Sequence, residues 1–321
     1  MRRTHPTPVL GLTGPVMELV PTNGNTYARL ADGTVESWGT NVNGELGDGE
    51  VSNSPTPIPV RVAGISNAVA LARPAIDDHM CVRLADATVH CWGDDTSANF
   101  DDPVAIGKSQ PSPVLVSALS GASSFTTGTG FMCALFPDGS VQCVGNNAVG
   151  QLGTPDTSGN LKFTKIAALP TAVAVTAGHF HTCAVLADRT AMCFGANRGG
   201  ELGRGTTTDY ETVPAPVQNL SNVRSIAPTG GCTCALLFDG TVQCWGGNND
   251  GELGNGTMDI HNHPTPAPVP GLGNVVQLAA GGSHTCVLLS DGRVLCWGYN
   301  AHGELGDGTT ANRAVPTEVA W

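Results

Sequence analysis

Six copies of one short pattern constrain this chain more than anything else in it. The clearest copy is residues 284–308, HTCVLLSDGRVLCWGYNAHGELGDG. Two apolar runs flank an Asp-Gly turn, and Trp-Gly and a glycine-punctuated loop follow. Apolar runs of four to eight residues bounded by Gly, Asp or Asn predict strands. The loop Ser290-Asp291-Gly292 predicts a three-residue hairpin turn whose last position has positive φ. Two copies carry Ala87 and Arg189 at that position, which predicts backbone strain or a different turn there.

The Trp-Gly step falls at Trp38-Gly39, Trp92-Gly93, Val144-Gly145, Phe194-Gly195, Trp245-Gly246 and Trp297-Gly298, at intervals of 54, 52, 50, 51 and 52 residues. A period near fifty with several short strands per unit predicts an array of small sheets, each covered by its neighbours. Closing that array leaves only short edges and makes a β-propeller. A helical solenoid is rejected, because no segment has a 3.6-residue period and 42 glycines and 22 prolines punctuate the chain. The predicted fold is therefore all-β: a β-propeller of six four-stranded blades, as a closed ring or an excised part of a longer array. One domain over 1–321 is expected, with repeats near 6–58, 59–111, 112–165, 166–214, 215–266 and 267–315, and 316–321 as a closing strand. The innermost strands are expected at Val16–Val20, Ala68–Ala72, Ser123–Thr127, Ala172–Thr176, Val223–Ala227 and Val275–Ala279.

Ten of the eleven cysteines form pairs ten residues apart: Cys81 and Cys91, Cys133 and Cys143, Cys183 and Cys193, Cys234 and Cys244, Cys286 and Cys296. The hairpin register sets each pair face to face on neighbouring strands. They are either small apolar core residues or cross-strand disulfides with Cα atoms roughly 4.4–6.8 Å apart. The first copy favours disulfides, because it loses both cysteines together, to Tyr27 and Ser37. Five disulfides imply an oxidising compartment, so an extracellular, periplasmic or cell-surface location is expected. The start MRRTHPTPVLGL has no apolar h-region and is not a signal peptide. That points to a precursor start upstream of Met1 or to a fragment of a longer secreted chain. No run of eighteen apolar residues predicts a membrane span, and the net charge of −12 argues against nucleic acid.

Side chains with metal or catalytic chemistry are few. His79, His181 and His284 each stand two residues before a cysteine. Converging, they suit zinc; the plainer reading is a turn-stabilising histidine that repeats because the turn repeats. Cys232 is expected to be a semi-buried free thiol, with pairing between molecules or exchange with Cys244 as alternatives. His261-Asn262-His263 has the alternation that puts two imidazoles on one side of a strand, and Asn248-Asn249-Asp250-Gly251 is a calcium-like loop without its distal Glu. The turn aspartates (Asp32, Asp86, Asp138, Asp188, Asp239, Asp291) and loop glutamates (Glu45, Glu201, Glu252, Glu304) occupy repeat-equivalent positions, which predicts structural roles. No cofactor, metal site or catalytic constellation is assigned.

The string Asn-x-x-Gly-Glu-Leu-Gly-x-Gly after Trp-Gly, with Gly-x-His-Thr before the first run, resembles the repeats of the regulator of chromosome condensation family, in particular its bacterial, secreted members. The loop reads Asn41 to Gly49, Asn197 to Gly205, Asn248 to Gly256 and Asn300 to Gly308, with a shorter Asn147 to Gly153 in the third copy. The second copy departs at Ala98-Asn99-Phe100-Asp101. The family usually has seven blades, against six repeats here. The resemblance implies a non-catalytic, monomeric protein-interaction module that presents variable Pro-rich connectors to a protein partner outside the cytoplasm. A guanine-nucleotide exchange factor-like regulator is the second reading, opposed by the cysteines and the acidic charge. A lyase or glycosidase at the channel mouth is the third. Phe163, Tyr210 and His261 lie on the connectors and are expected to form the partner-binding face.

Overall fold

The computed structural model describes residues 4–22, 24–74, 79–95 and 108–321. The departure at Ala98–Asp101 and the start of its connector, to residue 107, lie outside the described residues. The chain is an all-β propeller of six four-stranded antiparallel blades, each following the last along the sequence, with one short 3-10 turn, Ser117–Leu119, among the described residues. The inner strands are Val16–Pro21, Ala68–Leu71, Ser124–Gly128, Ala172–Ala177, Val223–Pro228 and Val275–Ala280, within a residue or two of expectation. Blade 3 gains a fifth strand, Arg73–Pro74, parallel to Ser124–Gly128.

The chain divides into two compact units. One comprises Pro8–Asn147 with Ser158–Ile166 and holds blades 1 to 3; the other comprises Met1–Thr7, Ala148–Thr157 and Ala167–Trp321 and holds blades 4 to 6. In the first, Val35, Val62 and Tyr27 of blade 1 pack with Leu71, Met80 and Trp92 of blade 2, which pack in turn with Phe125 and Met132 of blade 3. In the second, blades 4 and 5 share one apolar cluster and blades 5 and 6 another.

The hairpin register is as the sequence predicts. All five cysteine pairs sit directly opposite one another, and Tyr27 faces Ser37 in blade 1. Their Sγ atoms stand 2.01–2.12 Å apart, as disulfides. Their Cα atoms are 4.0–4.2 Å apart, closer than expected. Such closeness marks the narrow, non-hydrogen-bonded type of antiparallel pair. Ala87 and Arg189 keep the turn of the other copies, each at φ 67°, so strain is the outcome and not a different turn. In each turn the aspartate accepts a bond from the amide two residues on, as Asp188 Oδ1 does from Thr190 at 3.0 Å. The Trp-Gly glycine has a steric cause: Gly195 has φ 110°, and a Cβ on it would lie 2.5 Å from the Phe180 carbonyl.

The Pro-rich connectors differ from expectation. They are largely the outer strands, Ser52–Arg61, Gln110–Leu115, Asn160–Lys165, Tyr210–Pro216, Asp259–Pro268 and Arg313–Glu318. Five of these straddle an expected repeat boundary, so residues 316–318 end blade 6's own outer strand. Proline has no N–H, so Pro264, Pro266 and Pro268 leave the outer edge of blade 5 short of donors. That protects it against pairing with other chains.

Candidate partner-binding site

The glycine-punctuated loops hold themselves closed. In blade 5, Asn248 Oδ1 accepts from the Leu253 amide (3.2 Å) while its Nδ2 donates to the Thr257 carbonyl (3.1 Å). Asn41, Asn197 and Asn300 do the same in their loops. Each loop glutamate accepts from the amide two residues back: Glu45, Glu201, Glu252 and Glu304 at 2.8–2.9 Å. They are structural, as expected. Burial pushes the Glu201 and Glu252 carboxyls up.

The same loops staple successive blades. Trp92 Nε1 donates to the Glu45 carbonyl (2.9 Å), Trp245 to that of Glu201 (2.8 Å) and Trp297 to that of Glu252 (2.8 Å). Blade 4 has Phe194 at this position, and there Thr182 Oγ1 donates to the Gln151 carbonyl instead (2.9 Å).

The repeat-position histidines lie inside the blades: His79 and His181 are buried and His284 is half-buried. His181 is buried, its Nε2 is 2.9 Å from Thr233 Oγ1, and burial pushes its pKa down to about 3. Burial likewise lowers His79, to about 4, and His284. Among the described residues, no three His, Cys, Asp or Glu side chains gather around a common point. Cys232 is free and fully buried rather than half-buried, and burial pushes its thiol up to about 12. Its Sγ is 3.2 Å from Thr229 Oγ1.

The three residues expected on the partner face have different surroundings. Phe163, in the first unit, is half-buried and packs against the apolar core of its own unit. Its ring completes the outer strand's grip on that core, so it is not the exposed anchor expected. Tyr210 and His261 open the outer strands of blades 4 and 5 in the second unit, and both are exposed. A polar chain links these strands: Asp209 pairs with Arg198 (3.2 Å), whose carbonyl accepts from Asn262 Nδ2 (2.8 Å). Asp259 accepts from His263 (3.0 Å), Thr257 and Asn248, and these bonds hold its carboxyl far below the usual range. Asn262 and His263 also line a shallow cleft of about 240 Å³ with Leu253 and Pro264. Sequence reasoning missed Ile260, which is 87% exposed beside His261. Its only signal was a β-branched aliphatic residue set between Asp259 and His261 in a Pro-rich connector.

This repeated blade, stapled through a Gly-Glu-Leu-Gly loop, has known counterparts. A family model described as an RCC1-like domain matches residues 2–321. The chain belongs to the RCC1-like family. The ultraviolet-B receptor UVR8 of Arabidopsis thaliana is 29% identical over 92% of this chain, and the match spans 68% of UVR8. The mitochondrial RCC1 domain-containing protein RUG3, also from Arabidopsis thaliana, is 40% identical over 34% of the chain but is spanned for only 24% of its own length. Among solved structures, Prp20p of Saccharomyces cerevisiae superposes with a TM-score of 0.83 at 22% identity, covering 95% of this chain and 77% of Prp20p. RCC1-like propellers typically serve as protein-interaction or exchange-factor modules. Among the described residues, this RCC1-like chain has no helix long and apolar enough to cross a membrane.

Proposed function

We propose that this RCC1-like propeller is a non-catalytic interaction module that binds a protein partner outside the cytoplasm. One observation carries the reading: the outer-strand starts of blades 4 and 5 present Tyr210 and Ile260, 42% and 87% exposed, inside a rim of Arg198, Asp209 and His261. Neither side chain is needed by the core, and an exposed aromatic or aliphatic anchor within a polar rim is what protein-binding surfaces use. The five disulfides support the compartment. The repeat-equivalent, backbone-bonded acidic residues support a role without catalysis. Prp20p was characterised for binding Gsp1p and histones. By analogy we assign this chain a protein ligand of its own, held by Tyr210, Ile260 and His261.

The test is the double variant Tyr210→Ala, Ile260→Ser, compared with the parent for partner capture from the extracellular fraction. Capture should fall by at least about tenfold, with the melting temperature within about 2 °C of the parent. Undiminished capture would place the binding surface elsewhere.

A further inference from the structure

In the unit holding blades 4 to 6, each glycine-punctuated loop ends with one variable residue between two glycines: Arg204, Asn255 and Asp307. A second variable residue, on each outer strand, pairs with the glycine that follows the aromatic: Glu211 with Gly195, His263 with Gly246 and Arg313 with Gly298. Blades 4 and 6 join the two positions through an arginine and a carboxylate. Arg204 lies 3.4 Å from Glu211, and Arg313 donates to Asp307 at 2.6 Å. The blade 4 guanidinium does more. Its Nη2 donates to the carbonyls of Cys193 (2.7 Å) and Val213 (2.9 Å), and so bridges the two strands where their register shifts.

Blade 5 has the same backbone without the arginine. Its strands shift register at the same step, between Cys244 and Gly246. Cys244 stands where Cys193 does and Thr265 where Val213 does, and both line the cleft of about 240 Å³. Asn255 is too short to bridge that cleft and is committed to its own loop: its Oδ1 accepts from the Thr257 amide (2.9 Å) and hydroxyl (2.8 Å). Among the described residues, no side chain donates to the Cys244 or Thr265 carbonyl. The acidic partner is changed and not lost, because His263, which stands where Glu211 does, is bonded to the Asp259 carboxylate (3.0 Å). Leu253, Pro264 and Ala267 supply apolar walls against which an alkyl stem can lie.

We propose, resting on the binding face assigned above, that the blade 5 cleft receives an arginine side chain of the protein partner. Its guanidinium donates to the Cys244 and Thr265 carbonyls, as Arg204 does to those of Cys193 and Val213. The planar fork of N–H donors suits two carbonyls on neighbouring strands, which a single ammonium group serves less well. The cleft adjoins the face, because Asn262 and His263 line it and follow Ile260 and His261 on the same strand. The partner then carries an arginine beside its apolar contact for Ile260.

The isotope-labelled full chain is titrated with N-acetyl-arginine amide and followed by NMR. The amides of Cys244, Leu253 and Thr265 should shift, and N-acetyl-lysine amide should bind at least about tenfold more weakly. Asn255→Arg fills the cleft as blade 4 does, so the shifts should vanish while the melting temperature stays within about 2 °C of the parent or rises. Asn255→Ala leaves the cleft open and should bind the arginine amide as the parent does. Partner capture by Asn255→Arg should fall at least about tenfold. Absent shifts, equal binding of the lysine amide, loss of binding in Asn255→Ala, a destabilised Asn255→Arg, or undiminished capture by it would each overturn the proposal. Capture lost in Asn255→Arg but kept in the Tyr210→Ala, Ile260→Ser variant would fault the exposed anchors and leave the cleft standing.

Discussion

A single backbone angle separates two of the six hairpin turns from the others. Ala87 and Arg189 hold φ at 67°, where four other copies use glycine. A side chain there costs about 1–2 kcal/mol in backbone strain, offset in part by the lower entropy of the unfolded chain. Ala87→Gly should therefore stabilise by about 0.5–1 kcal/mol in urea unfolding. Arg189→Gly should gain less, because the guanidinium lies 4.5 Å above the Phe238 ring and that contact would be lost. Equal gains at both sites would contradict the stacking. His181 makes a different residue-scale prediction. Its folded pKa is depressed to about 3 by burial, while the unfolded imidazole titrates near 6.5. The unfolded chain then binds a proton that the folded chain does not. The contribution is complete above pH 6.5 and is lost progressively as pH falls toward 3. Between pH 6.5 and 5, above the carboxylate range, this one group should remove on the order of 1–2 kcal/mol. His181→Gln should flatten the melting curve's pH dependence over that window, and an unchanged slope would count against the burial argument.

The element that carries the fold is the loop-and-hairpin pair, in which a loop of one blade offers a carbonyl to an aromatic residue of the next. The chain contains a natural variant of its own staple. Where Phe194 replaces tryptophan, Thr182 alone binds the Gln151 carbonyl, while Trp245 and Thr233 share that of Glu201. Trp245→Phe should therefore fold and lose only about 1 kcal/mol, since Glu201 keeps one donor. A loss of several kcal/mol in urea would mean that the indole is needed for shape and not for its N–H. Most of this element is legible in sequence, because its causes are local. Asn248 and Glu252 act within a dozen residues of themselves, Gly246 meets the other strand of its own hairpin at Cys232, and the Cys234–Cys244 register follows from one turn. The outer strands were not legible. Pro264, Pro266 and Pro268 read as a connector by every local rule, and only pairing with the preceding strand makes them a sheet edge. Phe163 was misread for the same reason: its apolar partners lie in distant segments of sequence, and nothing beside it distinguishes a core ring from an exposed anchor. Ile260, by contrast, is exposed because the edge strand meets its neighbour only at Asp259 and His263 on either side of it.

At the scale of the whole molecule, few charges, a net charge of −12 and five disulfides describe one environment. The acidic balance disfavours phosphate backbones and favours partners with a cationic rim. The disulfides lock hairpins whose blades are thin and bury little core each, at about 2–3 kcal/mol per closed loop. Together they fit an interaction module that persists where thiols are oxidised, and that claim meets its most direct test in the native protein's thiol count. Protein isolated from its own source is unfolded in denaturant without reductant, alkylated and weighed. One alkyl group, placed on Cys232, is the result expected of an extracellular RCC1-like propeller with five cross-strand disulfides. Alkylation of all eleven cysteines would place the chain in a reducing compartment and contradict the account.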